Sequence, residues 1–347
     1  MRIGGMLALG FGAAAILVRR RLHPSTGNLP PTENVADSAL HSAFTGEPSR
    51  NTKVAISVLR AVGAVTDSLG IDFGTQIAPL IASGRPPSFA MSGLDVQRDF
   101  YAGHQVYAIR PGNPSGKYVV ALHGGAFVVQ PTINHWSAYA EMSRRTRATL
   151  LVPMYPLAST PSGRAQNVIP DLADLISAQI RLYGPDNVSV YGDSAGGGMA
   201  MSIAQLMVER GDPSPGRMVL ISPWLDITLT DPAIASIDDP VLRTASLRAA
   251  GVKWAGDLSP VDPLVSPIYG PLDGLPATAI YSGSLDLLAA DALRLKTRAL
   301  NTPANEFTFI LRNGAVHCWA MGGVAKSPES AAVQRDIYEQ LGLDTHH

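Results

Sequence analysis

The stretch Val188-Ser-Val-Tyr-Gly-Asp-Ser-Ala-Gly-Gly-Gly-Met-Ala200 decides how the rest of this 347-residue chain is organised. A short apolar strand pattern stops at a Gly-x-Ser-x-Gly turn, and a helix pattern begins directly after it. Gly192 and Gly196 flank Ser194 where such a turn brings backbone close to backbone, so glycine fits both positions. The turn presents the Ser194 hydroxyl at a sheet edge and at a helix N-terminus, where backbone N–H groups favour developing negative charge. These features suit an acyl-transfer nucleophile, although a glycine-rich turn alone also fits a purely structural role.

From residue 94 onward, strand and helix patterns alternate along the chain. This alternation is typical of an α/β fold with a mainly parallel central sheet flanked by helices. The candidate strands are 96–101, 105–110, 117–122, 149–154, 188–191, 216–221, 278–281 and 307–311. The candidate helices are 136–147, 165–182, 195–210, 287–300 and 327–341. The first two strands are predicted to form an antiparallel hairpin.

The composition is that of a globular protein with a large core. Hydrophobic residues make up 46% of the chain, charged residues 16%, and the formal net charge is -1. This balance does not indicate a nucleic-acid partner, and we interpret the basic run 144–147 as a solvated helix face. The single cysteine, Cys318, excludes an internal disulfide.

The N-terminal segment carries a candidate membrane anchor. Residues 3–18 form an apolar run without charge, and Arg19, Arg20 and Arg21 end it. At about 1.5 Å per residue this run is somewhat short for a bilayer core of about 30 Å. Because most of the positive charge follows the run, a retained anchor at 1–22 with the rest of the chain on the cytoplasmic side is predicted over a cleaved signal peptide. A helix that caps the domain, and a soluble cytoplasmic protein, are the alternatives.

Residues 23–92 are predicted to form a linker followed by an N-terminal helical cap. Residues 24–50 are rich in Pro, Ser, Thr, Asn and Glu, which is typical of extended linkers. Between residues 52 and 81, apolar residues recur with the spacing of one or two amphipathic helices, which we expect to lie over the site. A catalytic domain follows at 93–342, with a cap insertion at 226–274 expected to line the pocket, and 343–347 form a frayed tail.

A second glycine-rich segment, His123-Gly-Gly-Ala-Phe127, follows directly after a predicted strand. Consecutive small residues on a loop that leaves a sheet edge let backbone N–H groups approach a substrate oxygen. We predict that the N–H groups of Gly125, Ala126 and Ala195 form an oxyanion hole. Gly124 is a further candidate donor. Such a loop alone also fits a simple turn, and its pairing with the nucleophile turn favours the oxyanion role.

Together, His-Gly-Gly-x-Phe and Gly-Asp-Ser-Ala-Gly-Gly resemble the hormone-sensitive-lipase-like family of α/β-hydrolases. The resemblance runs from residue 117 to residue 317 and includes Ser222-Pro-Trp-Leu-Asp-Ile-Thr, Ser266-Pro-Ile-Tyr and Leu275-Pro-Ala-Thr. It implies an α/β-hydrolase fold and a serine carboxylesterase activity. His123 and Asp193 are expected to support the site, with an exposed turn residue as the alternative for Asp193.

The sequence departs from this family's pattern at two places. Ala126 stands where the family usually has a third glycine, and it keeps the backbone N–H. The run Tyr155-Pro-Leu-Ala-Ser-Thr160 stands where the family has Tyr-Arg-Leu-Ala-Pro-Glu. This second change removes an arginine and a glutamate and puts the support of the oxyanion loop in question.

The candidate base follows from chain order. In this fold the nucleophile precedes the acid, and the acid precedes the base. Three histidines lie downstream of Ser194, and two of them, His346 and His347, belong to the predicted tail. His317, on a loop after the last predicted strand, is therefore the candidate base.

The candidate acid is Asp286, which follows the predicted strand 278–281. This placement also matches the acid of the family. Asp291 is the competitor, although its position within a helix pattern better fits a solvent-facing or cap-supporting carboxylate.

These residues predict a serine esterase or lipase that hydrolyses carboxylic esters of short to medium acyl length, without a cofactor or metal. The glycines around Ser194 lack a dinucleotide-binding pattern, and His, Cys and Asp do not cluster at metal-ligand spacing. A non-catalytic small-molecule binding protein on the same fold is one alternative. An acyltransferase or amide hydrolase with the same triad is the other. The oligomeric state stays open.

Overall fold

The computed structural model describes residues 33–34, 44–70, 78–101, 103–302, 306–324 and 326–345. Its strands are β1 (Glu33–Asn34), β2 (Leu94–Tyr101), β3 (His104–Pro111), β4 (Tyr118–Leu122), β5 (Thr149–Met154), β6 (Val188–Asp193), β7 (Arg217–Ile221), β8 (Ala277–Leu285) and β9 (Phe307–Val316). Its α-helices are Arg50–Ser68, Ala78–Ile81, Ile133–Thr146, Ala165–Tyr183, Ala195–Arg210, Thr244–Ala255, Ala289–Ala299 and Pro328–Gln340.

The described strands form one sheet in the order β1-β9-β8-β7-β6-β4-β5-β3-β2. The run from β5 through β4, β6, β7 and β8 to β9 is parallel throughout. β2 and β3 form the predicted antiparallel hairpin, and β3 also joins β5 antiparallel. The predicted mainly parallel α/β fold is confirmed. Because parallel strands end at the same edge, the loops after β4, β6, β8 and β9 meet there.

Both faces of the sheet are covered, as the apolar strand patterns require. In β4, Val120 and Leu122 pack in one buried cluster, and Val119 and Ala121 pack in the other. The helix Ala195–Arg210 lies on the first face, and all of its first eleven residues are buried. The core therefore holds the start of this helix, and with it the turn that carries the nucleophile, in a fixed place.

Strands β8 and β9 are longer than the sequence predicts. The small and polar residues that follow their apolar parts suggest turns, yet Ser282 pairs with Leu311 and Gly283 pairs with Arg312. An irregularity between Gly283 and Leu285 shifts the register near the end of β8. With this extra length, β8 ends directly before Asp286 and β9 ends directly before His317.

The N-terminal region is only partly a linker. The predicted anchor, 1–22, lies outside the described residues. β1 pairs antiparallel with β9, and Thr45 makes backbone hydrogen bonds of 2.9 Å with Leu311 and Asn313. Parts of the predicted linker thus lie along the sheet edge, because β9 offers unpaired backbone groups there. Two helices of the predicted cap are present at Arg50–Ser68 and Ala78–Ile81, and their placement over the site stays a prediction. None of the helices in the described ranges has the length and apolar character to cross a bilayer.

The insertion 226–274 contains the helix Thr244–Ala255, whose Trp254 is buried and stacks on Phe127 with ring centroids 4.1 Å apart. That this insertion lines the pocket stays a prediction. The tail begins later than residue 343. Leu343 is buried, and its N–H donates to Tyr338 O at 2.9 Å, so this residue belongs to the core.

Candidate active site

The turn at the end of β6 holds Ser194 in a strained backbone conformation. Its φ is 53° and its ψ is -121°, a combination that costs energy for any residue other than glycine. A Cβ on Gly192 would overlap the carbonyl of Gly196, and a Cβ on Gly196 would overlap the carbonyl of Leu122. Only glycine fits at positions 192 and 196, which is the steric reason for the Gly-x-Ser-x-Gly pattern.

Ser194, His317 and Asp286 form a continuous chain of hydrogen bonds. His317 Nε2 lies 3.0 Å from Ser194 Oγ, and His317 Nδ1 lies 3.0 Å from Asp286 Oδ2. Asp286 is fully buried, and its Oδ1 accepts from the Leu288 N–H at 3.0 Å. The structure therefore joins the three side chains that the sequence singled out, in the order hydroxyl, imidazole and carboxylate.

Asp291, the competing carboxylate, lies elsewhere. It sits in the helix Ala289–Ala299, and its Oδ1 accepts from Arg294 Nη1 at 2.6 Å. Burial raises the pKa of Asp291 to about 7, although the hydrogen bond from Arg294 opposes this. Of the two candidates, only Asp286 contacts His317 in the described structure.

The surroundings of His317 favour its protonated form. Burial alone lowers the pKa of the imidazole, but the hydrogen-bonded Asp286 carboxylate outweighs burial and holds that pKa above its usual range. An imidazole with a raised pKa is a strong proton acceptor once it is neutral. Such a group suits the removal of a proton from a hydroxyl.

The loop 123–127 lies beside the nucleophile and has an unusual backbone. Gly125, Ala126 and Phe127 have φ values of 112°, 51° and 64°. A Cβ on Gly125 would lie 2.5 Å from Val129 O, so this position requires glycine. The carbonyl of Gly125 accepts from the N–H groups of residues 128 and 129, at 3.0 and 2.9 Å. This tight turn leaves the predicted donors Gly125 and Ala126 on the loop beside the site.

The prediction that Gly124 adds a donor to the oxyanion hole is wrong. Its N–H donates to Asp193 Oδ1 at 3.2 Å and is already used. A Cβ at Gly124 would lie 3.0 Å from Ser194 Cβ and would collide with the Asp193 carboxylate. Gly124 therefore lets the loop pack against the nucleophile turn. The Ala195 N–H stays in the predicted set, because the first N–H groups of a helix have no partner within the helix.

Asp193 is buried rather than exposed and links the two loops. Its second oxygen, Oδ2, lies 3.1 Å from Nε2 of His135, a residue that sequence reasoning missed. Burial raises the pKa of Asp193, but His135 outweighs burial and the net shift is downward. The carboxylate is thus ionised inside the protein. The only local signal for His135 was a histidine three residues after Thr132 at a helix start, which is not specific.

Tyr155 and Ala158 supply the support that the departure from the family pattern had put in question. The Tyr155 hydroxyl donates to His123 O at 2.6 Å, and its ring stacks on His123 with centroids 4.3 Å apart. The Ala158 N–H donates to Phe127 O at 2.8 Å. Burial lowers the pKa of His123 to about 3, so its ring is neutral and acts as a structural part of the loop.

Comparison with known proteins agrees with this geometry. A model of the alpha/beta hydrolase fold matches residues 119–321, which is more than half of the chain and contains the nucleophile turn, the loop 123–127 and His317. The chain belongs to the alpha/beta hydrolase fold family. The α/β-hydrolase fold predicted from the sequence is confirmed.

Named relatives of this alpha/beta hydrolase are lipases and esterases. A triacylglycerol lipase of Mycobacterium tuberculosis is 42% identical over 273 residues, which cover 78% of this chain and 57% of the lipase. An esterase of Acinetobacter venetianus is 31% identical over 183 residues, which cover 51% of this chain and 59% of the esterase. This chain thus matches less than two thirds of the length of either curated relative.

A crystal structure of a hormone-sensitive lipase from a metagenome library superposes with a TM-score of 0.72. It is 18% identical, and the match covers 86% of this alpha/beta hydrolase and 99% of that chain. At this level of identity the likeness shows a common fold.

Proposed function

We propose that this alpha/beta hydrolase is a serine esterase that cleaves carboxylic esters through a covalent acyl-enzyme. The observation that carries the proposal is the hydrogen-bonded chain from Ser194 through His317 to Asp286, with both links at 3.0 Å. The relatives named triacylglycerol lipase and esterase support the same class of reaction.

In the acylation step, Ser194 Oγ forms a bond to the ester carbonyl carbon while His317 Nε2 takes the hydroxyl proton. Asp286 holds the imidazole in the required tautomer and stabilises the cation that forms. The N–H groups of Gly125, Ala126 and Ala195 bind the oxygen that becomes negative. Each such donor contributes about 2.7–4 kcal/mol to transition-state stabilisation. His317 then protonates the leaving alcohol as the carbon–oxygen bond of the ester breaks.

In the deacylation step, water attacks the acyl carbon and gives its proton to His317. The bond from the acyl carbon to Ser194 Oγ breaks, and His317 returns the proton to the serine. The products are the free acid and the regenerated hydroxyl. We propose acyl chains of short to medium length as substrates, with the insertion 226–274 setting the length.

Hydrolysis of a series of p-nitrophenyl esters from acetate to palmitate tests the proposal. Ser194→Ala and His317→Ala are expected to lose nearly all turnover while they remain folded by circular dichroism. The matched control is Ser162→Ala, because Ser162 is exposed in the short 3-10 helix Pro161–Gly163 and its side-chain hydrogen bond in the described structure is with Thr160. Unchanged turnover in either site variant would refute the assignment.

Two further measurements separate the competing activities. A fluorophosphonate probe is expected to label Ser194, and failure to label it would favour a binding protein. In a first assay with an added alcohol acceptor, the ester hydrolysis that we propose predicts free acid as the main product. In a second assay with an anilide substrate, it predicts slow cleavage. Ester formation in the first assay would indicate an acyltransferase, and fast anilide cleavage would indicate an amidase.

We also propose that the chain associates with a membrane through residues 3–18. The apolar run followed by three arginines supports this. Further support comes from the outer face of the helix Arg50–Ser68 and the residue after it, where Val54, Val58, Val65 and Leu69 are exposed. After a carbonate wash, the full chain is expected in the membrane pellet and a chain starting at residue 23 in the supernatant. Full-length protein in the supernatant would contradict this.

A further inference from the structure

Two carboxylates accept hydrogen bonds from the backbone of the loop after β8, and only one of them, Asp286, contacts His317. Asp239 Oδ2 accepts from the Leu287 N–H at 2.9 Å, and Asp286 Oδ1 accepts from the Leu288 N–H at 3.0 Å. Consecutive backbone N–H groups thus hold two different carboxylates. The first comes from the insertion 226–274, and the second belongs to the loop itself.

The Asp239 side chain is itself firmly held. Its Oδ1 accepts from the N–H groups of Val241 and Leu242 at 2.7 and 2.9 Å, and the residue is only 9% exposed. In the described part of the chain no arginine, lysine or histidine forms an ion pair with this carboxylate. A buried charge without a counter-ion is costly, so its presence beside Asp286 needs a reason.

The charged groups around Asp239 indicate that reason. Asp286, which precedes Leu287, and His317 both act electrostatically on the Asp239 carboxylate. Arg243, four residues after Asp239, donates to the Asp239 backbone carbonyl at 3.3 Å. Arg243 also pairs with Asp67 of the helix Arg50–Ser68 at 3.0 Å. Burial and then the Asp286 charge raise the pKa of Asp239 to about 6, whereas His317 lowers it.

The interaction between Asp239 and His317 is reciprocal. A histidine that favours the ionised form of Asp239 must itself be favoured as a cation by that carboxylate, by the same amount. His317 becomes a cation in the transition state of the proposed reaction. The Asp239 carboxylate therefore stabilises the His317 cation, as the Asp286 carboxylate does.

We propose that Asp239 is a positioning residue, which fixes the Asp286 loop through the Leu287 N–H and, together with Asp286, stabilises the protonated form of His317. The catalytic part of this role rests on the proposed esterase function. The physical claim, that Asp239 stabilises the His317 cation, is open to measurement without turnover.

The test is the pH dependence of kcat/KM for p-nitrophenyl butyrate in Asp239→Asn and in a second neutral variant, Asp239→Ser. Both are expected to lower kcat/KM about tenfold at its plateau and to move the midpoint of the acidic limb down by about one pH unit. Asp239→Glu keeps the charge and is expected to keep the midpoint. Asp238→Asn is the matched control, because it removes the same charge from an exposed neighbour that pairs with Arg60 instead.

The same shift is measured without turnover from the imidazole resonances of protein labelled with 13C-histidine, with His317 assigned by comparison with His317→Gln. A downward shift of the His317 midpoint in the neutral variants supports the proposal. An unchanged midpoint in folded neutral variants overturns it, whatever their rates. Loss of folding in both neutral variants also overturns it, because Asp239 would then be a general structural brace. Absence of esterase activity in the wild type refutes the proposed function and leaves the resonance measurement to decide this one.

Discussion

Asp193 Oδ2 lies 3.1 Å from His135 Nε2, and both side chains are buried. His135 Nδ1 accepts from the Thr132 N–H at 3.0 Å, so Nε2 carries the proton that is donated to Asp193. The other oxygen of Asp193 accepts from the Gly124 N–H. A histidine at the start of the helix Ile133–Thr146 thus holds the carboxylate that joins the oxyanion loop to the nucleophile turn.

His135→Ala is expected to destabilise the protein and to lower kcat. Removal of the imidazole leaves the Asp193 charge buried without its main donor, which costs about 2–4 kcal/mol of unfolding free energy. The loop 123–127, which Asp193 holds through the Gly124 N–H, then loses its fixed position. Because this loop carries predicted oxyanion donors, kcat is expected to fall by a larger factor than KM changes. Urea unfolding and kinetics on p-nitrophenyl butyrate measure the two effects, and His135→Gln, which restores an N–H donor, is expected to recover part of each.

The matched control for this prediction is His104→Ala. His104 Nε2 lies 2.7 Å from Asp171 Oδ2, but Asp171 is partly exposed, and the pair joins β3 to the helix Ala165–Tyr183 rather than to the nucleophile turn. Its loss is expected to cost about 1 kcal/mol or less and to leave kcat unchanged. Equal losses in the two variants would contradict the special role of His135.

His135 also illustrates what could not be predicted from the sequence. It reaches Asp193 across 58 positions, and Asp239 reaches Leu287 across 48. Such contacts arise because β4 lies next to β6 in the sheet and because the insertion folds back onto the end of β8. Neither residue carries a local pattern, since a single histidine or aspartate fits a helix start or a loop equally well.

Ser194 and its flanking glycines could be predicted, because the steric demands of the turn act within five residues. His317 and Asp286 could be assigned once the fold fixed the chain order of the triad. The role of Gly124 could not, because the sequence does not show that the Asp193 side chain occupies its N–H. Local geometry was therefore visible in the sequence, and the supporting hydrogen bonds across the sheet edge were not.

The pH dependence of kcat/KM is expected to report the ionisation of His317. Because its pKa is held above the usual range, activity should rise with pH to a midpoint above about 6.5, as the imidazole loses its proton. Asp286→Asn removes the negative charge, so burial dominates and the midpoint moves down. The same variant is expected to lose about 10³–10⁴-fold in kcat, because the imidazole is no longer held in the right tautomer.

Asp291→Asn serves as the control for that measurement. Asp291 is also buried and carries a raised pKa of about 7, but its partner is Arg294 rather than His317. Its replacement is expected to leave the midpoint and kcat close to those of the wild type. A larger shift from Asp291→Asn than from Asp286→Asn would reverse the assignment of the acid.

Gly196→Ala is expected to abolish stable folding. Its added methyl group would overlap the backbone carbonyl of Leu122, and neither the buried helix start nor β4 has room to move. We expect a loss of more than about 4 kcal/mol in unfolding free energy, or insoluble protein. Gly112→Ala is the control, because a methyl group there meets no atom within 4 Å. Normal stability of Gly196→Ala in urea unfolding would contradict the observed turn.

Cys318 is expected to react slowly with alkylating agents and to control activity once it has reacted. It is the single cysteine of the chain, and its Sγ lies 3.4 Å from His317 Nε2. Burial raises the pKa of its thiol to about 11, so at pH 8 the thiolate is scarce. Iodoacetamide is therefore expected to react about two orders of magnitude more slowly than with a free cysteine. The bulky adduct then blocks His317, so activity and free thiol are lost together.

Cys318→Ser distinguishes this steric effect from a catalytic role of the thiol. A serine retains a small polar side chain beside the imidazole, and the nucleophile is Ser194, so kcat is expected to stay within about threefold of the wild type. The variant should also resist iodoacetamide. Inactivation of Cys318→Ser at the wild-type rate would show that another side chain is the target. Wild-type inactivation as fast as the alkylation of free cysteine would show that the thiol is not held in its protonated form.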